Sequence, residues 1–393
     1  MTRRVLLASR LFVPEVSAGA FRLGALAGAL MRSADVTVIT TRPPSHSPAV
    51  RDQPGMRISR WPVLRDRGGN VRGYFQYASF DAPLILRTLF RRFDLIIAES
   101  PPTTALVAAA VAGLRHRPFA YYAGDVWTDG VIAMGAAKPV VSVMRWMERT
   151  VLRRAACVLS VSDEVTERLV AMGADPARIA TVGNGIDTTV FTPDAAPAAP
   201  GERYFVYTGT MSEWQQPDVF VRAFALLADE HPNLQLRFFG QGALEPELRV
   251  LAESLVPGRM RFGGVVSPAE SAQWIRGAVA SLVSVAPGIG YDFARPTKTY
   301  AAAACGTPVL FAGADVGGAV VRDAGLGEAV GFTPESVADG MRRLLSAADS
   351  GDTERLRASR ATWARQHVSL SAVGGVAAQR VLSLTEQSPP HSA

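Results

Sequence analysis

The 393-residue chain holds two cysteines, Cys157 in AACVLSV and Cys305 in AAACGTPVL. Two thiols in apolar runs give neither a disulfide framework nor a zinc spacing. They read as small reduced core residues, and a reducing compartment follows. Long hydrophobic runs are also lacking. The opening MTRRVLLASRLFVPE loses its apolar run at Arg10, too soon for a signal-peptide core. The charge-free stretch 299–314 is interrupted by Gly306 and Pro308, short of the roughly 18–20 residues that span a bilayer. No Asp-x-Asp or carboxylate cluster lies near the glycine-rich loops, so no metal is expected. No G-x-G-x-x-G fingerprint occurs, which removes the usual dinucleotide signature. No aromatic-interleaved basic stripe and no zinc finger occur either, which argues against nucleic acid. The expectation is a cytoplasmic protein, at most peripheral on the inner face of a membrane.

What is present is apolar material for more than one core. Hydrophobic residues make up 48% of the chain and charged residues 19%, excluding a disordered chain and suiting two domains. Charge is uneven: residues 1–200 carry 24 Lys and Arg against 16 Asp and Glu, the remainder 17 against 19. A basic first half suits an anionic partner or surface, or else a solvated arginine-rich face.

Short apolar runs alternate with helix-length segments along the whole chain. In the first half the expected strands are 5–9, 36–40, 95–99, 119–124, 157–162 and 179–182. In the second they are 204–208, 234–240, 260–262, 280–285, 308–312 and 329–332. Most are continuously apolar, as in parallel sheets covered by helices on both faces. Helices are expected over 21–32, 138–156 and 163–172, the last capped by Ser162. Further helices are expected over 217–230, 244–255, 268–276 and 295–304. Two doubly wound, Rossmann-like α/β domains follow. TTVFTPDAAPAAPGER, at 188–203, has three prolines and no periodicity and reads as a linker. The expected organisation is a first domain over 1–187, that linker, and a second domain over 204–368. Segment 369–393 is expected to be a C-terminal helix and tail packing back on the first domain. Ligands of such sheets bind beyond the carboxyl ends of the strands, so the site should face a cleft between the domains.

The strand-to-helix loops supply the candidates. Gly19 precedes an expected helix with Arg22 in its first turn, and a helix N-terminus favours anions. Gly209 and Thr210 in YTGT, Gln215, Gly240 and Gly242 in FFGQGALEPEL, and Val265 in FGGVV lie in three loops of the second half. The fourth loop, VAPGIGYDFARPTKTYAAAACGTPV, contributes Asp292, Arg295, Lys298 and Thr299. Two cations at a helix start make a diphosphate site without metal.

These segments resemble the glycosyltransferases of family 4, which have the GT-B fold. VGNGID (182–187) followed by Phe191 and Pro193, GQGALEPEL, and RPTKTYAAAACGTPV carry the resemblance. ESPPT (99–103) and GDVWTDG (124–130) resemble segments of bacterial members acting on surface polysaccharides. The resemblance implies a GT-B protein of two Rossmann-like domains with a cleft between them. It would transfer a sugar from a nucleotide-diphosphate sugar to an acceptor hydroxyl, with retention and without a cofactor. It implies that Lys298 contacts the donor diphosphate, with Gly209 and Thr210 in the first nucleotide-binding loop. Gly19 would face the donor phosphates, and Asp125 would line the acceptor side. Arg295 would assist Lys298 in catalysis, and the acceptor would be lipid-linked, a saccharide or a small molecule. Asp125 also reads as a helix cap or a buried ion-pair member.

The chain departs from the family at several positions. Thr210 stands where many members have arginine, and Gln215 about where they have lysine. The family's two glutamates would fall at Phe293 and Ala301, and Asp292 is a candidate partial replacement for the first. A lost ribose grip leaves a non-catalytic partner protein as one alternative. A sugar-nucleotide epimerase on the same fold is another, although no acid–base pair stands out and the five histidines lie outside the glycine loops. Finally, KPVVSVMRWMERTVLRRAA at 138–156 sets Arg145, Arg149 and Arg153 on one helical face. Beside Trp146 and Met147 that face suits an anionic membrane surface, or else is the solvated edge of a core helix.

Overall fold

The computed structural model describes residues 2–15, 17–44, 54–66, 71, 73–290, 292 and 294–385. Phe293, one of the two positions of the missing glutamates, lies outside the described residues. The chain divides into two compact units. One comprises Met1–Gly185 with Leu370–Ala393, the other Ile186–Ser369.

The first unit is a seven-stranded parallel sheet. Its strands are β1 (Arg3–Ala8), β2 (Ala34–Thr41), β3 (Arg57–Trp61), β4 (Leu95–Glu99), β5 (Phe119–Ala123), β6 (Cys157–Ser160) and β7 (Ile179–Thr181). The order is β3-β2-β1-β4-β5-β6-β7. Val5 pairs with Val36 on one side and Leu95 on the other. β1 and β4 are buried over most of their length, as their apolar sequences demand. The strand order reverses between β1 and β4, so loops leaving those strands diverge and open a crevice at their carboxyl ends.

The second unit repeats the plan with six parallel strands. They are β8 (Arg203–Thr208), β9 (Leu234–Phe239), β10 (Met260–Phe262), β11 (Ala280–Ser284), β12 (Val309–Ala312) and β13 (Gly327–Val330). The order is β10-β9-β8-β11-β12-β13, with its reversal between β8 and β11.

Sequence and structure differ in places that have physical causes. β3 is absent from the expected strands because RISRW is a polar edge strand with exposed ends, not an apolar run. Helix Tyr74–Leu89 was not expected; it carries Pro83 in its interior, which interrupts the helical signature. Helix Pro102–Leu114 is apolar on all sides and shows no amphipathic period. The segment read as a linker, 188–203, lies on the second unit: Arg276 Nε donates to the Pro193 carbonyl (2.6 Å) and the Ala198 amide to the Gln273 carbonyl (3.2 Å). The boundary falls earlier, between Gly185 and Ile186. Helix Leu370–Ser383 belongs to the first unit and crosses helix Ala18–Leu30 closely. A Cβ at Gly374 would stand 2.7 Å from the Ala25 carbonyl oxygen, so the crossing needs glycine there.

Candidate functional site

In the second unit the loops beyond β8, β9 and β10 are stitched together by backbone hydrogen bonds. Gly209 N donates to Phe239 O (2.8 Å), Met211 N to Gln241 O (3.1 Å) and Gly240 N to Gly264 O (2.7 Å). This closeness explains the GQG motif. A Cβ at Gly240 would overlap the Gly209 carbonyl, and one at Gly242 the Met211 carbonyl. Both glycines are therefore demanded by chain packing, whatever the loops bind.

Lys298 sits against this bundle. Helix Thr297–Ala304 begins with Pro296 as its N-cap, which leaves Arg295 just outside rather than in its first turn. The residue before a proline is driven to extended backbone, so the helix cannot start at 295. Lys298 is buried, with Nζ 3.7 Å from the centroid of the Tyr207 ring. Gly209 lies alongside: a Cβ there would come within 3.4 Å of Lys298 Cε. Tyr207 gives its single hydroxyl proton to the Thr210 carbonyl (2.6 Å). The buried Gln215 amide is accordingly oriented with its nitrogen toward Tyr207 Oη (2.9 Å) and Thr210 Oγ1 (3.1 Å). That turns its oxygen to Lys298 Nζ at 3.3 Å. An aromatic face and one amide oxygen thus hold this cation, without a carboxylate counter-ion among the described residues. Burial drives its pKa from 10.5 down to about 7.

The remaining candidates of this unit spread along the same edge. Thr299 is buried, and its amide donates to the Pro296 carbonyl (3.0 Å). Asp292 Oδ1 accepts from the Gly288 amide (2.8 Å), closing its own loop. Ala301 is buried in the apolar core beneath the helix. Val265 is 69% exposed beyond β10. Arg295 is half-buried three residues before Lys298.

The first unit carries a second polar centre at the β1–β4 crevice. Glu99, the last residue of β4, is buried; its Oε2 accepts from Ser9 Oγ (3.0 Å) and its Oε1 pairs with Arg22 Nη2 (3.5 Å). Arg22 Nη1 donates to Asn184 Oδ1 (2.9 Å), tying the VGNGID segment to helix Ala18–Leu30. Burial pushes the Glu99 carboxyl upward while Arg22 opposes the shift. Gly19 packs on this pair: a Cβ there would stand 2.7 Å from Glu99 Oε1. Gly124, next to Asp125, packs on it too, because a Cβ there would stand 2.6 Å from Arg22 Nη2.

Asp125 accepts from its neighbour's amide, Val126 N to Oδ1 (2.8 Å). Surrounding atoms raise its pKa by desolvation, but the residue as a whole is exposed and water screens that effect. It caps no helix; that role belongs to Glu148. The Glu148 carboxylate is fully buried and accepts from Trp127 N (2.7 Å), Thr128 N (2.9 Å) and Thr128 Oγ1 (2.6 Å), closing the start of helix Trp127–Ala133. Sequence reading overlooked Tyr207, Glu99 and Glu148. Glu99 ends its strand and Tyr207 stands one residue before the end of its own, positions that could have marked them. Glu148 reads in sequence as one more charge on an arginine-rich helix.

Residues 18–185 match the family described as glycosyl transferase 4-like domain, and residues 202–347 match glycosyl transferases group 1. The chain belongs to the family-4 glycosyltransferases. Among curated relatives, the D-inositol 3-phosphate glycosyltransferase of Streptomyces bingchenggensis is 32% identical over 220 residues, 51% of this chain and 46% of that one. The chain thus spans about half the length of the curated relatives it matches. Two solved structures share the fold over nearly the whole chain. Sucrose-phosphate synthase from Thermosynechococcus elongatus has a TM-score of 0.74 at 17% identity, covering 98% of this chain and 100% of the other. The Anabaena protein HepE, solved with UDP and glucose, has a TM-score of 0.66 at 14% identity, covering 98% and 99%. At such identities the likeness establishes the GT-B pair of Rossmann-like domains and nothing finer. Among the described residues no helix is long and apolar enough to cross a membrane.

Proposed function

We propose that this glycosyltransferase moves a sugar from a nucleotide-diphosphate sugar to an acceptor hydroxyl, with retention at the anomeric carbon and without a metal. The observation that carries the reading is Lys298, a buried cation without a carboxylate partner at the start of an apolar helix. Charge buried in this way is costly unless a ligand completes it, and a diphosphate does so. Arg295, Lys298 and the helix N-terminus would take up the negative charge that grows on the leaving diphosphate as the glycosidic bond breaks. Catalysis is then mostly positioning and electrostatics. Gly209, Thr210 and Gln215 would shape the donor loop, with Asp292 and Val265 at its rim. In the first unit Gly19 would leave room for a phosphate, and Asp125 would orient an acceptor hydroxyl. HepE, solved with UDP and glucose, supports a sugar nucleotide as donor.

Helix Lys138–Arg154 supports an acceptor at a membrane surface. It buries Met144, Glu148, Val151 and Leu152, while Val143 is 54% and Trp146 59% exposed beside Arg145, Arg149 and Arg153. An apolar-aromatic strip among arginines suits an anionic interface on the inner side of a membrane.

The test is a calorimetric screen of sugar nucleotides, then acceptor-dependent release of the nucleoside diphosphate with chelator present. Binding of one donor, and turnover that survives chelation, are expected. In Lys298→Ala turnover should fall at least about tenfold, the worth of one charge-assisted contact. Wild-type turnover in a folded Lys298→Ala protein rejects the site; a chain that binds no sugar nucleotide rejects the function. Retention is read from the anomeric coupling constant of the product.

A further inference from the structure

Helix Tyr74–Leu89 turns its apolar side outward. Among its described residues every exposed position is apolar: Phe75, Ala78, Ala82, Ile85 and Leu86. Phe75, Ala78, Ala82 and Leu86 follow one another at three and four residues and so form one stripe. Phe90, 79% exposed, continues it just past the helix. The opposite side is buried and holds polar groups: Asp81 accepts from Thr104 Oγ1 (2.6 Å), and Thr88 Oγ1 donates to the Leu84 carbonyl (2.8 Å). A helix that met only water would carry its charge outside. Leu64 widens the strip, being exposed with its amide bound to Ser79 Oγ (3.0 Å). An exposed apolar strip of this extent marks an interaction surface.

The charge at one end of the strip says what covers it. Arg87 Nη2 donates to the Ser59 carbonyl (2.6 Å) and hydroxyl (2.9 Å), and Arg91 Nη2 approaches the same hydroxyl (3.5 Å). The Arg87 guanidinium lies 5.4 Å from the ring centroid of Trp61, which is exposed at the end of β3. Arg57, two residues from Ser59, has Asp35 at 3.1 Å, whereas Arg87 and Arg91 have no carboxylate within ion-pair distance among the described residues. Burial, and Arg91 beside it, bring the Arg87 pKa down to about 10; a facing anion would relieve that. Phenylalanine and leucine ending in tryptophan and arginine suit the headgroup boundary of an anionic bilayer. A second copy of the same strip would bring no carboxylate to these arginines. Helix Pro102–Leu114 packs against both this helix and helix Lys138–Arg154, so the strip shares a layer with Trp146 and its arginines.

We propose that helix Tyr74–Leu89, with Trp61 and Phe90, sets its apolar strip into the headgroup boundary of an anionic bilayer, where Arg87 and Arg91 meet lipid phosphates. This deepens the membrane reading of helix Lys138–Arg154 and rests on that reading only for the choice of layer. The arginine helix draws the protein to the lipid, and the strip holds it there.

The experiment uses the full chain and phosphatidylcholine vesicles brominated in the acyl chains, with and without phosphatidylglycerol. Tryptophan fluorescence should be quenched when phosphatidylglycerol is present, and part of that quenching should disappear in Trp61→Phe. Vesicle affinity should fall at least about tenfold in Leu86→Ser with Phe90→Ser, and as much in Arg91→Glu with Arg92→Glu. Val250→Ser, at an exposed apolar position of the second unit, should bind as wild type does. Circular dichroism reports folding; should the apolar variant unfold, the arginine variant and the quenching decide. Unchanged vesicle affinity in a folded Leu86→Ser, Phe90→Ser protein overturns the proposal. If Trp146→Phe removes all the quenching and Trp61→Phe none, the strip is rejected while helix Lys138–Arg154 keeps its role. No binding to any vesicle defeats both. A wild type that ignores vesicles and sediments as a dimer, which Leu86→Ser with Phe90→Ser dissociates, makes the strip a self-contact and also overturns the proposal.

Discussion

Lys298 holds its charge at the expense of stability. Its pKa falls from 10.5 to about 7 on folding, so between those values the unfolded chain binds a proton that the folded chain does not. Stability conferred by releasing that proton rises with pH across this window and is absent below it, where both states are charged. Lys298→Met should therefore be more stable than wild type near neutral pH, and its denaturation midpoint should lack the wild type's rise from pH 7 to 9. Each unit of depression corresponds to about 1.4 kcal/mol before relaxation. A variant less stable than wild type at pH 7 would show that the lysine is well satisfied by Tyr207 and Gln215 alone. The residue itself was legible: a Pro-x-Lys start to an alanine-rich helix states a cation at a helix N-terminus. Its cage was not, because nothing in YTGT says that the tyrosine ring turns under a side chain about ninety residues away.

Helix Lys138–Arg154 joins two roles through opposite faces. Inward, Glu148 fastens the turn that carries Asp125 by three hydrogen bonds from Trp127 and Thr128. Glu148→Ala leaves those donors unmatched and should cost about 2–3 kcal/mol in a urea titration. An unchanged midpoint would mean that water replaces the carboxylate. Outward, the helix offers Trp146 among arginines. Flotation on vesicles should need anionic lipid, weaken with salt, and vanish in Arg149→Glu with Arg153→Glu, since each basic residue adds about 1 kcal/mol at such a surface. Failure to float on any anionic vesicle would leave the arginines as a solvated edge. The amphipathic period announced this helix; the inward glutamate was hidden among its charges. The helix at Thr297–Ala304 is anchored at its far end, where Arg357 and Arg360 donate to the Cys305 (3.2 Å) and Gly306 (3.4 Å) carbonyls. Two cations at a helix C-terminus support the dipole whose other end carries Lys298.

Across the whole molecule, two parallel sheets were legible because strands such as LLA and LIIAE are apolar on both faces. Material without a period escaped, namely the polar edge strand β3, the proline-bearing helix Tyr74–Leu89 and the apolar helix Pro102–Leu114, and so did helices Asp315–Asp323, Pro334–Asp349 and Arg357–His367, although the second of these is plainly amphipathic. The loops beyond β8, β9 and β10 were legible as glycine turns, yet Gly240 and Gly242 prove to be fixed by loop packing. Arg22 and Glu99 come together only through strand order, which no local window contains. The central claim is that a donor diphosphate seats on Lys298. The chain has two lysines, Lys138 and Lys298, so reductive 13C-methylation gives two side-chain signals besides the amino terminus. The most direct measurement is their NMR titration with and without the bound nucleoside diphosphate. The account predicts one lysine titrating near 7 that moves upward by at least about one unit when the diphosphate binds, as an adjacent anion requires. It also predicts that this signal is missing in Lys298→Met. Two lysines titrating together near their ordinary value, or a depressed one that saturating nucleotide leaves unmoved, would contradict it.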